Sequence, residues 1–440
     1  MANKIFNIAA ISLLAVGTAS CDNFLDIQPV GRVIITTAEE YRKMLTEAYS
    51  IVPEDRGLAT FRSDEFVLNS SIQQDDLNSY LDIWIWNDAA PESTTATFNW
   101  RSYYQVIYEA NYLIESRDNI TEGTKEEIDQ LVGEAYMLRA YMHFLLVNLY
   151  GEPYTALADP YASKAVPLKL DTDPYNVLSR NTVGEIYDQI ISDMNSAEAY
   201  LNVEQWDTGY NYRFNTISVD ALRSRVYLYM GRWDESLAAS RRVLDVKSTL
   251  SDISTELPNR YNSVENIVAL EQVMTSYYHR AGRVSSELFN SYDAAGDLRR
   301  VYYYNAGVNV SLNKGGSSEY SCSFRVGEIY LNAAEAALES SAGADAVQAA
   351  RNYVLAVMKA RYTASYYTAR EAAVNAMSRE ELREEIYAER RRELAFEGHR
   401  WFDLRRTTRP ELTKTYRGTT YTLEHNDSRY TVRIPADAIE

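Results

Sequence analysis

The chain has 440 residues, with 44 basic against 62 acidic side chains and a formal net charge of −18. At 46% hydrophobic and 24% charged residues it has the make-up of a globular protein, which excludes a disordered or fibrous chain as the main state. The acidic balance leaves no basic footprint to displace counterions from phosphates, so a general nucleic-acid binder is excluded as well.

In chain order, residues 1–20 read as an export signal. Lys4 supplies the charged start, Ile5 to Val16 a mostly apolar run, and Gly17-Thr18-Ala19-Ser20 the small residues before cleavage. The apolar run is shorter than the ~20 residues a membrane span needs. Cys21 follows directly, where a bacterial lipoprotein is cleaved and its new N-terminal cysteine acylated, so lipidation is expected at Cys21. Cys322 then lacks an intramolecular partner and a disulfide framework is ruled out.

The rest reads mostly as helix. Leu131, Ala135, Leu138, Met142, Leu145 and Leu149 form an amphipathic stripe that Gly151 and Pro153 stop. Thr182 and Glu185 form a capping box before Val183, Ile186, Ile190, Met194, Ala197 and Leu201. A third stripe runs from Val219 to Tyr229 and ends at Gly231, and a fourth from Trp233 to Leu244. Residues 326–340 and 344–361 form a further pair, and Ser378 with Glu381 caps a last long helix expected to reach Phe396.

Such helix–turn–helix units, rich in Ala and Tyr, predict tetratricopeptide-like pairs that bury their stripes by stacking. Between them lie long irregular stretches, 52–98, 152–180, 202–215, 248–325 and 407–440, suited to carrying function. Within the last, Tyr416–Arg433 alternates enough for a short strand or two. The expected fold class is therefore mostly all-α: a superhelical scaffold of helix pairs with ligand-bearing loops and minor β. One domain, residues 21–440, is expected behind the signal, because no linker or composition shift divides the chain.

Catalytic chemistry finds little support. His143, His279, His399 and His425 stand far apart and make no metal-binding spacing, and phosphate-binding loops and a G-x-S-x-G elbow are absent. His143, inside a stripe, is expected to be a core residue. The dense run Glu389, Arg390, Glu393, Glu397, Arg400 and Asp403 reads as a structural ion-pair network of i, i+3 and i+4 partners. Glu134, Arg139, Glu328 and Glu335 read as similar polar seams.

Several stretches together resemble the SusD/RagB family of outer-membrane nutrient-binding lipoproteins. They are Cys21-Asp22-Asn23-Phe24-Leu25-Asp26-Ile27-Gln28-Pro29, Trp100 through Asn111, Gly133 through Pro153, Ser179 through Ala197, Ile329 through Ala336, and above all Ile386 through Arg406. The resemblance implies a cell-surface, outer-membrane lipoprotein, anchored through Cys21. Its implied job is to capture a nutrient oligosaccharide and deliver it to a SusC-like TonB-dependent transporter, without chemistry, cofactor or metal. A peptide-capturing RagB-like role is the alternative, then a tetratricopeptide scaffold that binds proteins or a secreted glycosidase.

Sugar binding needs flat rings flanked by carboxylates, amides or guanidinium groups. The segment Tyr80 to Asp88 supplies this mixture, and Trp84 and Trp86 would share a face of an extended loop, with Asn87 beside them. The resemblance adds Asp64 and Glu65 as polar contacts and Tyr277 and Tyr278 in the insertion opposite. Weaker aromatic candidates are Trp206, Tyr210 and Tyr212. The 36 Tyr against 11 Phe are expected to divide between helix packing and exposed loops.

Overall fold

The computed structural model describes residues 35–69, 71, 74–176, 178–307, 310–340 and 344–438. Contacts separate residues 1–36 from a compact unit, Thr37–Glu440, and the helices and strands of the described residues lie in the latter. The export signal and Cys21 lie outside the described residues.

Helix α1 (Ala38–Ser50) opens with a capping box from Thr37 and Glu40. Helices α2 (Asp55–Thr60), α3 (Gln74–Trp84) and α4 (Trp100–Ser116) come after it, then α5 (Lys125–Tyr150), where every residue from Gln130 to Tyr150 except Tyr136 is buried. Helices α6 (Val183–Tyr200), α7 (Thr216–Met230) and α8 (Trp233–Val246) come next. The turn between α7 and α8 is Gly231, whose φ of 71° a side chain would strain. After the short α9 (Ser276–Ala281) come α10 (Val326–Glu339), α11 (Ala344–Arg361), α12 (Ala364–Ala376), α13 (Arg379–Glu393) and α14 (Arg400–Arg406).

Consecutive helices pack side by side from α4 through α5, α6, α7 and α8 to α10 and α11, the tetratricopeptide-like scaffold expected from the stripes. The expected capping boxes at Thr182 and Ser378 are both formed. Helix α13 stops at Glu393 rather than Phe396, and the chain turns through Phe396 and Gly398 at positive φ before Trp401 and Phe402 bury in α14. No helix among the described residues is long and apolar enough to cross a membrane.

The stretch 248–325 is folded against the scaffold by small ladders. Strand β1 (Phe66–Leu68) pairs antiparallel with β3 (Gly282–Val284), and β2 (Asn266–Val268) with β6 (Phe324–Arg325). Strands β4 (Tyr304–Asn305) and β5 (Ser311–Leu312) form a third pair. The alternation near the C-terminus becomes a hairpin, β7 (Leu412–Tyr416) and β8 (Thr419–Leu423), in register from Leu412 opposite Leu423 to Tyr416 opposite Thr419.

The charged run in α13 is structural, but its partners are not those a lone helix offers. The Glu393 carboxylate accepts from Arg325 at 2.8 Å, Arg361 at 2.9 Å and Arg299 at 3.2 Å, all three fully buried. Around it Glu265 joins Arg325 and Arg361, Glu389 joins Arg299 and Arg392, Asp297 joins Arg299, and Glu397 joins Arg325 and Lys314. Five carboxylates thus face five cations, and only Arg392 with Glu389 is an i, i+3 pair. Burial alone would raise the Glu393 carboxyl, but the guanidinium groups of Arg361, Arg325 and Arg299 override it and hold it well below the usual carboxylate range. The seams elsewhere are also long-range: Glu134 with Arg42, Arg139 with Asp193, Glu328 with Arg225, and Glu335 with Arg406. His143 is a neutral core residue whose Nδ1 meets the Arg139 carbonyl at 3.0 Å; burial, then Arg139, lower its pKa to about 3.

Replacing Glu393 by Gln leaves three buried guanidinium groups short of one charge. The expected loss of folding free energy is ~3–5 kcal/mol, the range for breaking a buried ion pair, read from urea denaturation. A loss below ~1 kcal/mol would move the keystone role elsewhere in the network.

Candidate functional site

The segment expected to be an extended, ring-bearing loop is instead the end of α3 and the turn after it. Trp84 and Trp86 are 3% and 1% exposed. The Trp84 Nε1–H donates to the Phe66 carbonyl and the Trp86 Nε1–H to the Arg62 carbonyl, each at 2.9 Å. Both indoles enclose the Lys414 ammonium, which lies 4.2 Å from the Trp86 ring and 5.1 Å from that of Trp84 and donates to the carbonyls of Phe61 and Trp84. Burial holds that ammonium well below its ordinary pKa. The two tryptophans therefore belong to the core, where their N–H groups are satisfied.

Asp64 and Glu65 also face inward. The Asp64 carboxylate takes two hydrogen bonds of 2.8 Å from Arg400 and lies 3.1 Å from Arg391. Burial opposes its ionisation, but Arg400 and Arg391 lower its pKa to about 2. Glu65 accepts from the Phe396 N–H at 3.2 Å through one oxygen, and the other is buried without a partner. Burial, then the neighbouring charge of Asp64, push its pKa up to about 8. Tyr278 is half-buried, edge-on to Phe61 and Tyr80 at 5.8 Å each, while Tyr277 is 62% exposed with the Arg280 guanidinium 5.0 Å from its ring. Of the residues expected to meet a ligand, Asn87 lies on a cleft, Tyr277 is on the surface, and the others are packing groups.

The cleft is shaped by loop 85–99, which three aspartates hold. Asp82 accepts from the Asn87 amide at 2.9 Å, the Glu92 N–H at 2.7 Å and the Thr95 hydroxyl at 2.6 Å. Asp55 accepts twice from Asn99, at 2.7 and 2.8 Å, and burial pushes its carboxyl up to about 7 despite these bonds. Asp88 takes a two-pronged grip from the buried Arg62, at 2.7 and 2.8 Å, and Arg62 also donates to the Arg429 carbonyl at 2.6 Å. The turn into the loop is Trp86 itself, at φ 60°.

Between this loop, the start of α4 and residues 432–436 lies a cavity of about 670 Å³. Its lining includes the half-buried Trp100, edge-on to Tyr150 at 4.9 Å and 5.2 Å from Tyr104, with Asn87, Asp88, Asn99, Arg101 and Arg433 around it. Tyr150 lines it too, with a buried hydroxyl that has no hydrogen-bond partner. A second space of about 580 Å³ shares Asn87, Asp88, Ala89 and Arg433 and adds Tyr421 and Arg429. An aromatic ring set among an amide, a carboxylate and guanidinium groups is what a sugar-binding surface needs. Sequence reading missed Trp100 and Tyr421 here, because nothing local separates a ring at a helix start or in a hairpin from a packing ring.

Among the described residues no group of His, Cys, Asp and Glu is placed to hold a metal ion. Cys322 is a buried free thiol.

Residues 23–228 match a family model described as starch-binding associating with outer membrane, and residues 256–438 one described as SusD family. Among curated relatives, SusD-like protein P38 of Formosa agariphila is 26% identical over 246 residues, 54% of this chain but only 44% of the relative. SusD-like protein P2 of the same organism is 22% identical over 70% of each chain. A SusD superfamily structure from Bacteroides fragilis superposes with a TM-score of 0.77 at 22% identity, covering 92% of this chain and 98% of its own. A laminarin-binding SusD-like protein gives 0.64 at 20%, covering 85% and 92%.

These placements bear on stability in two ways. Trp86→Ala is expected to cost ~3–5 kcal/mol of stability, seen in denaturant titration, because it empties the Lys414 cage. Glu65 has its folded pKa raised, so stability present below the unfolded value of ~4.3 is lost as pH rises through about 8. Glu65→Gln is therefore expected to outlast the parent chain increasingly between pH 5 and 8, by on the order of 4 kcal/mol, in melts across that range.

Proposed function

The chain belongs to the SusD family, and on that premise we propose that it is a non-catalytic binding protein that captures an oligosaccharide at the outer-membrane surface. It hands the ligand to a SusC-like TonB-dependent transporter and is anchored by acylated Cys21. The observation that carries the reading is the Trp100 cleft: a ring held half-exposed among Asn87, Asn99 and Arg101 in about 670 Å³, room for a few sugar units. Hydrolysis would call for a paired acid and base. Asp55, Asp82 and Asp88, the aspartates that shape the cleft, are each committed to Asn99, to the loop backbone and side chains, or to Arg62. That commitment favours binding over cleavage.

Capture of peptides remains the second reading, supported by the same mixture of ring and guanidinium groups. Trp100→Ala is expected to weaken polysaccharide binding at least about tenfold, the loss of one good stacking surface, in affinity electrophoresis or calorimetry. Its melting temperature should fall by only a few degrees, since the ring is half in solvent. Unchanged affinity for every glycan that the parent binds would remove the cleft from the site.

A further inference from the structure

We infer that the saccharide taken by the Trp100 cleft and its neighbour is anionic, carrying carboxylate or sulfate groups that arginine side chains meet. The inference rests on the oligosaccharide reading and narrows it.

Three spaces of similar size differ in their walls. The groove of about 640 Å³ between the starts of α1 and α5 is rimmed by Glu39, Glu122, Glu126 and Glu127, and its Arg42 is held by Glu134 at 2.8 Å. That acidic rim is what a chain of net charge −18 provides by default. The paired clefts depart from it. Arg101, Arg429 and Arg433 line them against Asp88 and Glu92. The charge of Asp88 is answered from the core side by the two terminal nitrogens of Arg62, before any ligand arrives. Arg429 is matched by Asp427. Arg433, exposed and lining both spaces, is the cation best placed for a ligand, and Glu92 is a carboxylate that lines the Trp100 space with it.

The rings divide between the two spaces that share Arg433, with Trp100 lining one and Tyr421 the other. A chain stacked on both would bring the substituents of its intervening units toward Arg433. A guanidinium fork matches the two oxygens of a carboxylate or sulfate, a fit that neutral hydroxyls do not offer. Exposed ion pairs are individually modest and screened by salt, so the signature is a graded, salt-sensitive preference rather than an absolute one.

The mature chain is titrated with polygalacturonate, with a carrageenan and with neutral laminarin, at about 20 and about 300 mM salt. The expected result is tighter binding of one of the charged polymers, weakening severalfold with salt. Polygalacturonate assigns the chemistry to carboxylate and carrageenan to sulfate. Arg433→Gln should lower that affinity about fivefold and leave laminarin unaffected, and Glu92→Gln should raise it. Laminarin binding as tight as that of the charged polymers, with Arg433→Gln silent, overturns the anionic assignment and leaves the oligosaccharide reading standing. Binding of none of the three overturns both.

Discussion

Three guanidinium groups converge on one buried carboxylate, Glu393, and the ordering of the molecule's long irregular half depends on that meeting. Arg325 begins the approach to α10, Arg361 ends α11, and Arg299 opens the one-turn helix Arg299–Tyr302, so one side chain of α13 fixes three segments remote in sequence. Glu265, Glu389, Glu397 and Lys314 extend the lattice. An unmatched charge in such an interior is strongly unfavourable, so each segment has one arrangement in which all partners are met. Buried ion-pair lattices often give no more stability than an apolar core of equal volume, so what this one offers is the fixed position of its partners.

The same device, repeated toward the surface, builds the cleft. Asp64 holds Arg400 and Arg391 at the edge of the lattice, and Arg62 then reaches from the core to Asp88 and the Arg429 carbonyl. Arg62 also lies 5.0 Å from the Trp401 ring, so loop 85–99, α14 and the C-terminal segment share one guanidinium. Lys414 of β7 ties the hairpin to the ends of α2 and α3 through the carbonyls of Phe61 and Trp84 and to two indoles. Walls that come from opposite ends of the chain are thus set by a few buried cations.

These facts divide what the sequence reveals from what it hides. Capping boxes and helical stripes are local, and Thr182, Ser378 and Gly231 stand where spacing places them. The charged run in α13 announces a polar seam but not its partners, because Glu393 meets Arg299, 94 residues away, and Glu397 meets Arg325, 72 away. Trp84 and Trp86 mislead for the same reason: their alternation is equally that of exposed rings and of a cage for Lys414, whose bond to the Trp84 carbonyl spans 330 residues. The tyrosine surplus resolves similarly. Tyr141, Tyr187, Tyr292 and Tyr304 are buried with hydroxyls bonded to Glu271, Asn148 and one another, so many of these rings act as core residues that also join the polar lattice.

On the proposed reading, walls held by this many contacts suit capture followed by release. Trp100 is already fixed by Tyr104 and Tyr150, and the loop beside it by Asp55 and Asp82, so a ligand pays little to order them. Rigid walls keep association fast, since no closure must precede binding. On the proposed reading, contacts from the Trp100 and Tyr421 rings and from exposed guanidinium groups would give adjustable binding, strong enough to concentrate a polymer at a surface and weak enough to yield it to a partner.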